Sequence, residues 1–277
     1  MEQSCCHKRE GEGTMDMNEI QCVKKFFNNL DAFSITMDVD WASDFAIESA
    51  VNFFQERRIP ITLFFTHMSP YIDKLITSGS IAYGIHPNFI QPSSQGRDKK
   101  EVIDYCMGTF PYAEAFRSHR WYADNDIYTE LYQRGIRYES NLCTLLDVVE
   151  PFVHRSGMIS FPVFFEDGAY LYHGLDLRFA SAKPFFEQPG IKVVNIHPMH
   201  LMVNTPDFLY MRKIKDTVSR EAWNSFSEET IRQIRNKSAR GITDFVTELM
   251  DYIGKKNATV SSLADLYHMT KERMKND

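Results

Sequence analysis

Three short segments of this chain carry side chains whose types and spacing suit hydrolytic chemistry. In TMDVDW, Asp38 and Asp40 stand two apart, and residues two apart in a strand point the same way. Two carboxylates that close repel, and a partly buried pair stays ionised only if a cation or several donors compensate. A divalent metal is the economical cation; the competing reading makes the pair a cap for the helix that starts near Ser43. In YGIHPNF, His86 ends a strand and precedes Pro87, which alone reads as a turn but beside a DxD pair reads as a ligand. In VVNIHPMH, His197 ends a late strand with His200 just beyond it. An imidazole there suits a proton donor working near neutral pH; with nothing else on the same rim it would be a structural histidine.

These residues need a frame that brings strand ends together, and the patterning predicts one. AFSITMD reads as a short buried strand, and SDFAIESAVNFFQERR as a helix with Ile47, Ala50, Val51 and Phe54 on one face and Ser43 as cap. A strand at ITLFFT, a helix at PYIDKLITSG and a strand at IAYGI continue the βαβ alternation of a parallel sheet with helices outside. GRDKKEVIDYCMG reads as a helix, FRSH as a strand end, DNDIYTELYQRG as a helix closed by Gly135, and IRYESN as a strand. Between about residues 147 and 190 the alternation weakens, and MISFPVFFEDGAYLYHG suggests an irregular strand or hairpin. IKVVNIH resumes it. A polar excursion from about 207 to 238, the helix GITDFVTELMDYIG and a helix from about 261 to 274 complete the chain. The excursion follows a strand end and reads as a lid or substrate flap. The expected fold is α/β, a distorted (β/α)7-type barrel, whose site lies at the carboxyl ends of the strands. Residues 1–18 are expected to form a flexible tail, with Cys5, Cys6 and His7 in it, and residues 19–277 one domain.

Bulk properties exclude several classes. The 277 residues are 43% hydrophobic and 25% charged, an ordinary globular composition. A net charge of -6 argues against a non-specific nucleic-acid binder, which needs a basic field. Five cysteines, without a CxxC spacing and odd in number, fit reduced thiols better than a disulfide framework. The start lacks the apolar core of a signal peptide, and no stretch approaches the about 18 apolar residues of a transmembrane helix. A cytoplasmic protein is therefore expected.

Taken in order, TMDVDW, ITLFF, GIHPNF, FRSHRW, GIRYESN and VVNIH resemble the polysaccharide deacetylases of carbohydrate esterase family 4, the NodB-homology fold. GIHPNF and RSHRW are most similar to the WbmS-type branch associated with bacterial O-antigen synthesis. The resemblance implies that Asp38 is the general base, Asp40 and His86 are metal ligands, and Arg117 pairs with the base and holds its pKa down. It also implies that His197 protonates the leaving amine, with Asp167 as the acid that orients it. The implied substrate is an N-acetylated sugar of a surface polysaccharide, and the implied cofactor a divalent ion, Zn2+ first and Co2+ or Mn2+ as alternatives. Trp41, His119, Trp121 and His200 are expected to bind substrate. The family's second motif usually ends in a histidine where this chain has Ile90, so one ligand is missing. His67, at the end of ITLFFT, is the first candidate to replace it, followed by His119, Asn88 and His200. The proline-aromatic element that normally follows the arginine is replaced by Ser118, His119 and Arg120.

Other features point less sharply. Aromatic residues make up 13% of the chain, and Tyr122, Phe164, Phe165 and Tyr172 near predicted strand ends would suit sugar stacking, though most aromatics of such a chain are core. The basic run RQIRNKSAR, residues 232 to 240, could hold a phosphate or be a solvated helix face. Two rival functions stay open: a non-catalytic sugar-binding descendant that has lost its metal set, favoured by Ile90, and a metal-independent glycoside hydrolase using Asp38 and Glu166. The oligomeric state is not legible.

Overall fold

The computed structural model describes residues 17–28 and 30–276. Of the expected tail, residues 1–16, including Cys5, Cys6 and His7, lie outside this range, and Met17 and Asn18 already belong to the first helix. The strands are β1 (Ala32–Asp38), β2 (Ile61–Phe65), β3 (Ala82–Ile85), β4 (Ala115–Phe116), β5 (Tyr138–Glu139), β6 (Phe152–Val153), β7 (Ile159–Ser160), β8 (Val163–Glu166) and β9 (Ile191–Ile196). They form one sheet in the order β6-β7-β5-β4-β3-β2-β1-β9-β8. All pairings are parallel except the β6-β7 hairpin.

The sheet curls until its two flanks meet. β7 lies beside β5 and β8 beside β9, yet only Phe161 and Pro162 separate β7 from β8. Proline has no N–H to give a ladder, which interrupts what is otherwise one strand. Cys143, just past β5, then bridges Val163 of β8. With β7 and β8 counted as one member and β6 set aside, the ring has the seven members expected of the distorted barrel. Its central strands, β1 and β9, are buried along their whole length, as strands covered on both faces must be.

The helices are α1 (Met17–Phe27), α2 (Asp44–Gln55), α3 (Pro70–Ser78), α4 (Lys99–Thr109), α5 (Asn125–Gln133), α6 (Asp167–Tyr172), α7 (Phe179–Phe186), α8 (Pro198–Val203), α9 (Phe208–Thr217), α10 (Arg220–Asn224), α11 (Glu228–Ile234), α12 (Ile242–Lys256) and α13 (Leu263–Asn276). α2 starts where the Ser43 side chain accepts from the Ala46 N–H, and it buries Ile47, Ala50, Val51 and Phe54 as its spacing predicts. α6 was not visible in the sequence; the carboxylate of Glu166 caps it. The polar excursion folds into α9, α10 and α11.

One end of the barrel is plugged. Phe27 of α1 meets Phe161 edge-on at 5.6 Å, Tyr267 of α13 stacks on Tyr138 at 4.8 Å, and the Leu263 N–H donates to Thr62 Oγ1. Each buried phenylalanine contributes about 2–3 kcal/mol by leaving water. Only the opposite end, at the carboxyl ends of the strands, is left for a site. Among the described residues, no helix is long and apolar enough to cross a membrane.

Candidate active site

The open end is built on a fully buried arginine. Arg117, directly after β4, places Nη1 3.0 Å from Asp38 Oδ1, 2.9 Å from Thr36 Oγ1 and 2.6 Å from Asn195 Oδ1. Its Nε and Nη2 donate to the carbonyl and hydroxyl of Ser140. Asn195 Nδ2 donates to the other oxygen of Asp38 at 2.9 Å. Burial would raise the Asp38 pKa, but Arg117, with His86 and His197, outweighs it and holds the carboxyl below its ordinary value. Asp38 is thus a carboxylate with both oxygens oriented.

Asp40 is not beside Asp38 on the strand. β1 ends at Asp38, and Asp40 and Trp41 occupy the left-handed region with φ of 46° and 56°. Such a backbone costs on the order of 1 kcal/mol or more per residue and persists only where surroundings enforce it. Here the Trp41 N–H donates to Thr66 Oγ1 at 3.1 Å, and Trp223 Nε1 of α10 donates to the Asp40 carbonyl at 3.3 Å. The turn aims the Asp40 carboxylate at two imidazoles: Oδ1 lies 2.9 Å from His119 Nδ1 and 3.3 Å from His86 Nε2. Burial raises the Asp40 pKa, yet His119, by charge and hydrogen bond, together with His86 and His197 takes it well below its usual value. Asp40, His86 and His119 form a compact group able to hold a metal ion.

The structure brings His119, rather than His67, to this group. His67 Nδ1 lies 2.9 Å from Thr66 Oγ1, so it is the Thr66 hydroxyl that faces the Asp40 turn. Asn88 is also engaged elsewhere: its Oδ1 accepts from the Ile90 N–H and its own N–H donates to Gln95 Oε1. His119 reaches the site because its N–H donates to the Pro87 carbonyl, tying the FRSHRW loop to the GIHPNF loop. Arg120 and Trp121, like Asp40 and Trp41, are left-handed, at φ 54° and 61°. Trp41 meets the His119 ring edge-on at 5.3 Å, and Trp121 lies 5.7 Å from the Arg117 guanidinium. These two tryptophans thus pack against His119 and Arg117, and Trp41 also lines a depression at the mouth.

Across the mouth, His197 Nδ1 lies 2.6 Å from Asp167 Oδ1, and its backbone N–H donates to Asp167 Oδ2 at 2.7 Å. Burial alone would lower the His197 pKa; Asp167, with Asp40 and Glu166, pushes it up to about 10. Its free Nε2 lies 3.8 Å from Asp40 Oδ2, so a protonated imidazole faces the group of Asp40, His86 and His119. His200, behind it, has Nδ1 3.1 Å from Thr205 Oγ1 and a pKa lowered by burial to about 4. Glu166, raised by burial to about 7, spends its oxygens on the Gly168 and Ala169 N–H groups. Phe164 and Phe165 are core, while Tyr122 and Tyr172 are exposed.

A cavity of about 270 Å³ opens over these residues, lined by Asp40, His119, Glu166, His197, Lys215 and Trp223 among others. Sequence reasoning missed Asn195, Ser140, Lys215 and Trp223. Asn195 was accessible in principle, since it stands two before His197 in a strand; the others reach the site through loops and α9–α10.

The model of the WbmS-like polysaccharide deacetylases matches residues 35–215. No curated protein matches the sequence. Among solved structures, the WbmS protein of Bordetella bronchiseptica, assigned as a polysaccharide deacetylase involved in O-antigen biosynthesis, is 25% identical, with 79% of this chain and 90% of that chain covered and a TM-score of 0.68. A polysaccharide deacetylase from Mycobacterium smegmatis is 16% identical over 84% of this chain and 93% of its own, with a TM-score of 0.41. A variant of the peptidoglycan deacetylase PdaC from Bacillus subtilis is 11% identical over 88% and 94%, with a TM-score of 0.44. The last two likenesses are too slight to bear on function.

Proposed function

The chain belongs to the WbmS-like polysaccharide deacetylase family and is a carbohydrate deacetylase, and from that premise we propose that it hydrolyses the acetamido group of a sugar destined for a surface polysaccharide of the O-antigen kind. The observation that carries the reading is that Asp38, held by Arg117 and Asn195, and His197, held by Asp167, both stand within about 4 Å of the group of Asp40, His86 and His119.

Asp40, His86 and His119 fit a divalent ion. Two imidazoles and one carboxylate, with further positions left for water and substrate, are the donor set of a catalytic zinc site. Tetrahedral ligands at zinc stand on the order of 3.3 Å apart, and the His86 and His119 nitrogens lie 3.3 and 2.9 Å from Asp40 Oδ1. Zn2+ is the first choice, with Co2+ or Mn2+ as substitutes. When bound, such an ion would polarise the acetyl carbonyl and acidify water.

The remaining steps belong to the protein. Asp38, kept charged by Arg117 and Asn195, accepts the proton of the water that attacks the acetyl carbon. His197, kept protonated by Asp167, gives a proton to the sugar nitrogen as the C–N bond breaks. Acetate and an amino sugar leave, and water supplies the atoms. His119 beside Asp40 and His86 weighs against a non-catalytic descendant, which the loss of a ligand at Ile90 favoured. Glu166 is occupied as a helix cap, which weakens a glycosidase reading.

The test is acetate release from N-acetylated oligosaccharides and from sugar nucleotides, before and after chelation and metal restoration. Acetate release that is indifferent to a chelator would refute the metal-dependent scheme.

A further inference from the structure

Three cations at the mouth of the barrel differ in their surroundings from those of the basic run. In the basic run, Arg232 pairs with Glu229, Arg235 Nη1 donates to the Met202 carbonyl, and Arg240 pairs with Glu248. Of the two readings of this run, these partners favour the solvated helix face. Arg212, on α9, faces Asp216 at 3.7 Å. Lys215, Arg220 and Arg120, by contrast, ion-pair with no carboxylate among the described residues, and all three line the open end of the barrel. A second depression of about 280 Å³ adjoins the first, since Asp40, His119, Lys215 and Trp223 line both, and Arg220 lines the second.

Two of the three cations, Lys215 and Arg220, are held against rings. The Lys215 ammonium lies 5.2 Å from the Trp223 ring and the Arg220 guanidinium 5.0 Å from the Trp41 ring. Trp223 hydrogen-bonds the Asp40 carbonyl and Trp41 packs on His119. Lys215 and Arg220 thus each sit one aromatic ring away from Asp40 or His119. Cation–π contact orients a charge without neutralising it, which leaves the charge available to a ligand. Nothing in the hydrolysis of a neutral acetamide requires these charges. An electropositive rim on a chain of net charge -6 favours a ligand carrying an anion beside the acetamido sugar.

We propose that Lys215, Arg220 and Arg120 form an anion subsite, so that the substrate is an N-acetyl sugar bearing a carboxylate or a phosphate. The proposal rests on the deacetylase reading for the place of the acetamido group, and its chemistry is charge-assisted hydrogen bonding. The carboxylate of a uronic acid and the phosphate of a sugar phosphate or nucleotide are the two sources of such an anion.

Calorimetric titration with N-acetylglucosamine, N-acetylglucosaminuronate and N-acetylglucosamine 1-phosphate separates the possibilities. At least one anionic ligand is expected to bind about tenfold or more tightly than the neutral sugar. The Lys215→Ala/Arg220→Ala double variant is expected to bring that ratio near one, and Arg232→Ala to keep it. Tighter uronate points to a sugar acid, and tighter phosphate to a phosphorylated carrier. A wild-type ratio near one, or a ratio that survives the double variant, overturns the subsite. Acetate release is read separately on the same three ligands and on longer saccharides. Retained anion preference without acetate release from any of them would sink the hydrolytic scheme and leave the subsite standing.

Discussion

The Nδ1 atom of His119 stands 2.9 Å from Asp40 Oδ1, nearer than His86 Nε2 at 3.3 Å. His119 is therefore the candidate for the third place that Ile90 cannot fill. His119→Ala is expected to weaken metal binding by about 100-fold or more, beyond the usual loss for an outer-shell residue, while His67→Ala changes it little. Metal titration followed by elemental analysis checks both. The reverse pattern would return the third place to His67.

The proposed scheme gives Asp38 and Asp40 different roles. Asp40→Asn is expected to lose metal. Asp38→Asn keeps it, because Asp38 faces Arg117 and Asn195, and loses about 10²–10⁴ in kcat, the usual worth of a positioned base. Equal metal loss in both variants would contradict the division of roles.

His197 is raised chiefly by Asp167 against the effect of burial, so it holds its proton up to about pH 10. A group raised in this way loses activity that needs its proton, and stability that depends on it, as pH rises through the folded value. Asp167→Asn removes the carboxylate and is expected to move the alkaline limb of the kcat profile to lower pH. An unmoved limb would mean that another group supplies the proton.

Glu139 has a pKa raised by burial from 4.5 to about 7, only partly offset by Ser160 and Asn141. Below about pH 4.5 it is protonated folded or unfolded; between 4.5 and 7 the folded chain keeps a proton the unfolded chain has lost. Stability therefore falls across that window as pH rises and is level above it. Glu139→Gln lacks this fall, so its stability relative to wild type is expected to grow by on the order of 3 kcal/mol from pH 4.5 to 8. Urea unfolding at both pH values measures it, and parallel pH dependences would rule it out.

Much of this was legible because it is periodic. Buried runs such as AFSITMD and IKVVNIH and the one-sided face of α2 announce themselves through side-chain spacing, and the seven-membered ring follows from their alternation. Asp38, His86 and His197 were found because they end such runs. The misplaced details are all nonperiodic. The left-handed turn at Asp40 and Trp41 is imposed by Thr66 and Trp223, which no local pattern predicts. His119 is delivered by a backbone bond to Pro87, and α6 exists because Glu166 caps it. Lys215 and Arg220 stand in a polar excursion whose helices carry little apolar signal of their own.

The hydrogen bond from Trp223 to the Asp40 carbonyl spans 183 positions of the chain, and that from Asn195 to Asp38 spans 157. Contacts of such separation are the slowest to form, because long loops must close before they are rewarded. The ability to cleave an acetyl group is therefore expected to return late in folding, after helix formation. In a refolding experiment, recovered turnover would lag behind recovered ellipticity, and an intermediate with most of its helices in place would be inert.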